Sequence, residues 1–172
     1  RSCNKSAKIA ISVTNSYLFK GSRMNYLIIG YGNTLRSDDG AGQIVARKIA
    51  SWNLPNVRSL AVHQLTPELA EDIANADTVI FVDAVISSKQ NLEKIEIIIL
   101  EGDDKYLNFG HTENPRSLLY LSKIVYNKIP KAYWILIPAI NFEFGEKISD
   151  ITKKGIEQSL GKIESIINFK VL

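Results

Sequence analysis

The residues most able to do chemistry lie where predicted strands end. The first predicted strand leads into loop 30–40, which contains Asp39, and the third ends at Asp83. Both histidines, His63 and His111, also fall in or near loops that follow strands. Ligands of open parallel sheets bind at the carboxyl ends of the strands, which makes these loops the candidate site. Polar residues crowd loops in any case, so their positions alone leave a purely structural interpretation open.

Loop 30–40 has two adjacent acids, Asp38 and Asp39, just before the first predicted helix. One carboxylate is enough to cap a helix, and we predict that Asp38 is this N-cap. Asp39 is then free to point into a cleft as a metal ligand or a base. The pair also disfavours a nucleotide phosphate at this helix N-terminus. Leu35 stands where a dinucleotide-binding fingerprint requires glycine, and the chain has no P-loop sequence.

Asp83 follows the apolar run 79–82. A carboxylate at the end of a buried strand is costly unless it has a partner, so a functional role is favoured over a strand-end hydrogen bond. Together with His111, Asp39 and Asp83 would supply one nitrogen and two oxygen ligands to a divalent ion. Whether the three side chains converge depends on the fold.

Other catalytic chemistries are excluded by residue counts and motifs. Cys3 is the only cysteine, so the chain has no intramolecular disulfide, no cysteine-based zinc site and no thioredoxin-like pair. No Gly-x-Ser-x-Gly nucleophile elbow is present. With only two histidines, a histidine-rich metal site is also excluded.

The net charge of +3 comes from the first 23 residues. That leader contains five basic residues and no acid, and without it 16 basic residues face 18 acidic ones. The charge therefore gives no reason to expect nucleic acid as a partner. Met24 is the only methionine, and we expect residues 1–23 to be a leader outside the fold, too poor in apolar residues to be a secretory signal. A cytoplasmic location and no membrane partner are expected.

The elements that position the candidate residues follow from hydrophobic periodicity. Strands are predicted at 26–29, 57–62, 78–82, 94–100 and 133–137, with the fourth less buried and suited to antiparallel pairing. Helices are predicted to begin near Asp38, at Thr66-Pro67, at Asn114-Pro115 and near Ser149. The alternation predicts a three-layer α/β/α sandwich around a twisted, mostly parallel five-stranded sheet, in one domain spanning 24–172.

Three sequence blocks resemble the [NiFe]-hydrogenase maturation endopeptidases, peptidase family M52, over roughly residues 24–169. The blocks are Gly30-Tyr31-Gly32-Asn33-Thr34-Leu35-Arg36-Ser37-Asp38-Asp39-Gly40-Ala41-Gly42, then Phe81-Val82-Asp83-Ala84, then His111. The resemblance implies that Asp39, Asp83 and His111 bind metal, although some members have Glu where this chain has Asp39. The run 63–69 is similar to the branch that serves bidirectional, cyanobacterial-type hydrogenases.

The resemblance also implies an activity. A family member removes the C-terminal extension of the hydrogenase large-subunit precursor after nickel is inserted. The metal would be nickel carried by the substrate, or zinc or another divalent ion, and no organic cofactor is implied. Asp39 and Asp83 would be catalytic, and Asn33 and His63 are candidate substrate contacts. Two alternatives remain: a non-enzymatic nucleotide- or metal-binding module, and a general zinc hydrolase.

Overall fold

The computed structural model describes residues 24–87, 94–101 and 114–168. The predicted leader 1–23 and the predicted ligand His111 lie outside the described residues, so the statements made about them stay predictions.

The described strands form one five-stranded sheet with the order β2-β1-β3-β5-β4. The strands are β1 (Tyr26–Tyr31), β2 (Val57–Val62), β3 (Thr78–Ile86), β4 (Glu96–Leu100) and β5 (Lys131–Ala139). β1 pairs in parallel with β2 and β3, and β3 with β5, whereas β4 runs antiparallel to β5. The mostly parallel sheet and the antiparallel fourth strand are therefore confirmed.

Helices cover both faces of the sheet. They are α1 (Ala41–Ala50), α2 (Leu69–Ala74), α3 (Pro115–Tyr126) and α4 (Asp150–Asn168). Buried residues of α1 and α4, such as Val45 and Ile163, pack with Ile28 of β1 on one face. On the other face, residues of α2 and α3 pack with Ile29 and Phe81. Successive residues of β1 thus point to opposite faces, and the predicted three-layer sandwich is confirmed.

Most predicted element starts are also confirmed. The side chain of Asn114 accepts a hydrogen bond from the backbone N–H of Arg116, and Pro115 occupies the first turn of α3. These are the cap and the first-turn residue that the sequence predicts.

The predicted cap of the second helix is wrong. α2 begins at Leu69 after Glu68, and no side chain caps it. Thr66 instead accepts a hydrogen bond from the Leu69 N–H through its backbone carbonyl. The Thr66-Pro67 pair therefore forms a turn that leads into the helix.

Three strands, β1, β3 and β5, are longer than predicted, and the added length of β3 and β5 changes the setting of Asp83. β3 continues through Asp83 to Ile86, and β5 continues through Pro138 to Ala139. The two strands stay paired up to Ile86 and Ala139, so Pro138 does not end β5. Asp83 consequently lies inside a paired strand.

No helix in the described ranges is long and apolar enough to cross a membrane.

Candidate functional site

The loop between β1 and α1 brings Asp39 against the end of the first strand. Gly32 has a φ of 128°, and its N–H donates to the carbonyl oxygen of His63. A Cβ at Gly32 would lie 2.0 Å from the carbonyl oxygen of Asp39, so the close approach requires glycine. The Asp39 carboxylate is half-buried, and its Oδ2 accepts a hydrogen bond of 2.9 Å from the Asn33 N–H.

Asp38 does not cap α1, contrary to the sequence prediction. It lies in a short 3₁₀ helix, Ser37–Gly40, and Gly40 is at the N-cap of α1 without a side-chain cap. The fully buried Asp38 carboxylate accepts hydrogen bonds from the N–H groups of Ile140, Asn141 and Ser149, and from the Ser149 hydroxyl. Burial opposes its ionisation, but these hydrogen bonds outweigh burial and lower the pKa of Asp38. Asp38 is thus a structural anion that connects the first loop to the loop before α4.

Asp83 is the perturbed carboxyl group of the site. Its Oδ1 accepts a hydrogen bond of 2.8 Å from the Ala84 N–H. Burial raises the pKa of Asp83 to about 6, and the negative charge of Asp39 adds to the rise. The nearby Tyr31 hydroxyl and the Ala84 N–H oppose it. A buried carboxyl group with a raised pKa beside a second carboxylate favours a bound proton or a cation at this position.

The sequence analysis missed Tyr31 and Trp134. Tyr31 follows the paired residues Gly30 and Val82, so it lies beside Asp83 on the same face of the sheet. The Tyr31 hydroxyl and the Trp134 indole N–H are buried, and neither has a partner within hydrogen-bond geometry among the described residues. Burial and the Asp83 carboxylate raise the pKa of Tyr31 above its ordinary value, so the phenol stays protonated. The period of two along β1 and β3 was a signal that could have placed Tyr31 beside Asp83.

The two predicted substrate contacts have different settings. The Asn33 side-chain oxygen accepts a hydrogen bond of 2.9 Å from the Leu35 N–H, so it shapes its own loop. His63 is exposed, and its backbone carbonyl binds the first loop at Gly32. The His63 backbone therefore adjoins the first loop, and the residue is not packed into the core. Both residues stay predictions as substrate contacts.

The structure brings two of the three predicted metal ligands together. Asp39 and Asp83 approach closely enough for the charge of one to raise the pKa of the other, and His111 lies outside the described residues. Within the described ranges no group of three His, Cys, Asp or Glu side chains forms a metal site. Two carboxylates whose like charges raise the pKa of Asp83 suit a divalent cation, because the cation relieves their repulsion.

The similarity of this chain to known proteins is found in its three-dimensional structure. No protein-family profile matches the chain, and no curated sequence matches it significantly. The hydrogenase maturating endopeptidase HybD from E. coli superposes with a TM-score of 0.71 and 20% identity, over 86% of this chain and 94% of that one. The [NiFe] hydrogenase maturation protease HybD from Thermococcus kodakarensis gives 0.68 and 24%, over 84% and 100%.

A further protease, HycI from Thermococcus kodakarensis KOD1, superposes with a TM-score of 0.63 and 22% identity. The overlap covers 86% of this chain and 94% of that protein. The chain therefore has the fold of the [NiFe] hydrogenase maturation proteases.

Proposed function

We propose that this protein is an endopeptidase that removes the C-terminal extension of a [NiFe]-hydrogenase large-subunit precursor after nickel insertion. The observation that carries the proposal is the pair Asp39 and Asp83. In a fold shared with maturation proteases, these carboxylates come together where parallel sheets bind ligands. The same two positions carry the metal-binding residues that the sequence resemblance implies.

In the proposed reaction, Asp39, Asp83 and His111 bind the nickel that the precursor already holds. The metal would report that loading is complete and would bring the scissile bond to the site. Nickel held there would supply a Lewis acid that could polarise the scissile carbonyl or activate a water molecule, and zinc or another divalent ion could replace it in vitro. Metal dependence thus follows from the substrate.

In an alternative mechanism, one of the two carboxylates acts as a general base. Asp83 is suited to this role because a base with a pKa of about 6 is ionised at neutral pH and still has useful proton affinity. The Tyr31 hydroxyl beside it would hold the carboxylate or a water molecule in position. Both mechanisms, metal activation and general-base catalysis, use Asp39 and Asp83.

A nucleotide-binding module is the second candidate, and the first loop disfavours it. The Asn33 N–H of the glycine-rich loop already donates to the Asp39 carboxylate. A phosphate would have to displace this anion and approach two acids. The buried, hydrogen-bonded Asp38 adds a permanent negative charge to the same helix start.

We further propose that the substrate belongs to the bidirectional, cyanobacterial-type hydrogenases, because of the run 63–69, and that processing takes place in the cytoplasm. Precursors of this type should be cleaved in preference to precursors of other hydrogenases. The exposed position of His63 beside Gly32 would allow this run to contact the substrate.

The test mixes the purified protein with nickel-loaded and nickel-free precursor and follows the precursor mass. Loss of the C-terminal extension from the loaded form alone supports the proposal. Asp39→Asn should abolish cleavage, and Asp150→Asn, an exposed acid on α4, serves as the control. Nucleotide-dependent thermal stabilisation without cleavage would favour a binding module. Cleavage of model peptides with zinc alone would favour a general hydrolase.

A further inference from the structure

Two buried side-chain donors near Asp83 have no hydrogen-bond partner among the described residues. They are the Tyr31 hydroxyl and the Trp134 indole N–H, and both polar atoms are shielded from solvent. Tyr31 as a whole is only 8% exposed. A buried donor without a partner destabilises a fold, so phenylalanine would suit either position better if packing were its only role. Packing alone therefore does not explain the two polar atoms.

The strand register places both donors on the sheet face of Asp83. Tyr31 comes one residue after the last β1 residue that pairs with β3, so it lies beside Asp83. On the other side of β3, Trp134 pairs with Phe81, which precedes Asp83 by two positions and therefore points to the same face. Tyr31, Phe81 and Trp134 accordingly pack in one apolar cluster. Each strand that neighbours β3 thus brings one donor towards Asp83.

The chemistry of the three groups allows only one direction of hydrogen bonding between them. An indole N–H only donates, an ionised carboxylate only accepts, and a phenol hydroxyl does both. The Tyr31 hydroxyl is therefore the link, because it can accept from Trp134 and donate to Asp83. Burial and then Asp83 raise the pKa of Tyr31, whereas Trp134 lowers it, so the hydroxyl lies close to both groups. The Ala84 N–H already donates to Asp83 Oδ1, which makes Oδ2 the better acceptor for the hydroxyl.

We propose that Tyr31 and Trp134 are positioning residues that hold the Asp83 carboxylate towards the metal of the substrate, through a chain of hydrogen bonds from Trp134 Nε1 to Tyr31 Oη and from Tyr31 Oη to Asp83 Oδ2. This inference rests on the proposed function, because it takes Asp83 as a group of the reactive site. Small side-chain movements on cation binding complete both hydrogen bonds. A carboxylate has about four lone-pair sites, so two donors leave room for the cation and fix the orientation of the ligand.

The first experiment compares Tyr31→Phe with the wild-type protein. The substitution removes only an unpaired hydroxyl, so the melting temperature should stay the same or rise. The affinity for Zn²⁺, measured by calorimetric titration, and the kcat for precursor cleavage should both fall roughly tenfold or more. Tyr133→Phe is the matched control, because Tyr133 lies on β5 and packs on the opposite face of the sheet. This control should keep the wild-type affinity and kcat.

The second experiment asks whether Trp134 acts through Tyr31. Trp134→Phe should lower the Zn²⁺ affinity in the wild-type background and have no further effect in the Tyr31→Phe background. Trp52→Phe, which changes a residue packed on the opposite face, leaves Trp134 as the only tryptophan. In that protein the Trp134 fluorescence emission should shift as Zn²⁺ binds, because its N–H gains a partner. The shift should disappear in Tyr31→Phe at saturating Zn²⁺.

The outcomes separate this positioning role from the proposed function. If the wild-type protein cleaves the precursor and Tyr31→Phe keeps its Zn²⁺ affinity and kcat, the positioning role is wrong and the function stands. An equal effect of Trp134→Phe with and without the Tyr31 hydroxyl would break the link between the two residues. If Zn²⁺ binding depends on Tyr31 as expected but no precursor is cleaved, the function fails and the positioning role stands. A wild-type protein that neither binds Zn²⁺ nor cleaves the precursor would overturn both.

Discussion

The carboxylate of Asp38 receives both the backbone N–H and the hydroxyl of Ser149, at 2.7 and 2.8 Å, across 111 positions of sequence. This contact ties the loop that contains Asp39 to the start of α4. The Ser149 hydroxyl also lies 3.1 Å from Thr152 Oγ1, whose own hydroxyl donates to the Pro138 carbonyl oxygen. One buried anion thus organises the loop on which Asp39 depends.

We expect Asp38→Asn to lower the free energy of unfolding by about 3 kcal/mol, because the amide NH₂ group would face N–H and O–H donors in a buried site. Urea unfolding measures the change, and Asp150→Asn is the control at an exposed acid. Because the folded pKa of Asp38 is lowered, its contribution is fully present above the ordinary Asp pKa near ~4 and is lost as the pH falls through the folded pKa. An equal loss of stability in Asp150→Asn would contradict this assignment.

Asp83→Asn should have the opposite effect and stabilise the protein at pH 7. The folded pKa of about 6 lies above the ordinary value, so the folded state binds more protons between about pH 4 and pH 6. Stability of the wild-type protein therefore falls as the pH rises through this interval. An asparagine does not titrate, and its side-chain oxygen can still accept the Ala84 N–H.

The melting temperature, measured from pH 3 to pH 8, checks this prediction. The free energies of unfolding of the wild-type and Asp83→Asn proteins should differ little below about pH 4. Above pH 6 the variant should be more stable by up to about 2 kcal/mol, with a correspondingly higher melting temperature. Asp39→Asn should narrow the pH interval over which stability falls, because it removes the like charge that contributes to the raised pKa of Asp83. A less stable Asp83→Asn protein at pH 7 would show that Asp83 has an attractive partner.

Metal affinity should fall as the pH drops through roughly 7 to 6, because carboxylates and imidazole bind divalent ions only when deprotonated. An ordinary histidine titrates near ~6.5, and Asp83 titrates at about 6, so both groups contribute to one broad step. Calorimetric titration with Ni²⁺ or Zn²⁺ measures it. His111→Ala should weaken binding and leave a smaller step near pH 6 from Asp83. His63→Ala should retain the full step, and the reverse pattern would show that His63 is the ligand.

Two glycine substitutions should have effects of opposite sign. Gly32→Ala should destabilise the protein by about 1–3 kcal/mol and reduce any metal affinity, because a Cβ at this φ of 128° would press on the backbone of Asp39. Gly161→Ala on α4 should stabilise it by about 0.5–1 kcal/mol, since no atom lies within 4 Å of the added Cβ and alanine favours the helix. Chemical denaturation compares both with wild type. A neutral Gly32→Ala variant would mean that the loop can shift freely.

The sequence by itself determined which elements form and that the sheet is mostly parallel, whereas the strand order came from the structure. The buried run in β1, the apolar spacing of α1 and the charged residues of β4 predict a parallel sheet with one antiparallel strand, which the structure has. Hydrophobic periodicity is a local property, so neighbouring residues suffice to reveal it. The same local argument predicted different roles for Asp38 and Asp39, although its prediction that Asp38 caps α1 is wrong.

Only the tertiary structure decided what surrounds the acids. The hydrogen-bond donors to Asp38 lie 102 to 111 positions away, so no local pattern indicates them. The raised pKa of Asp83 depends on burial and on Asp39, which another strand and loop bring near. Burial and charge proximity arise from packing, and packing is set by contacts that sequence spacing does not reveal.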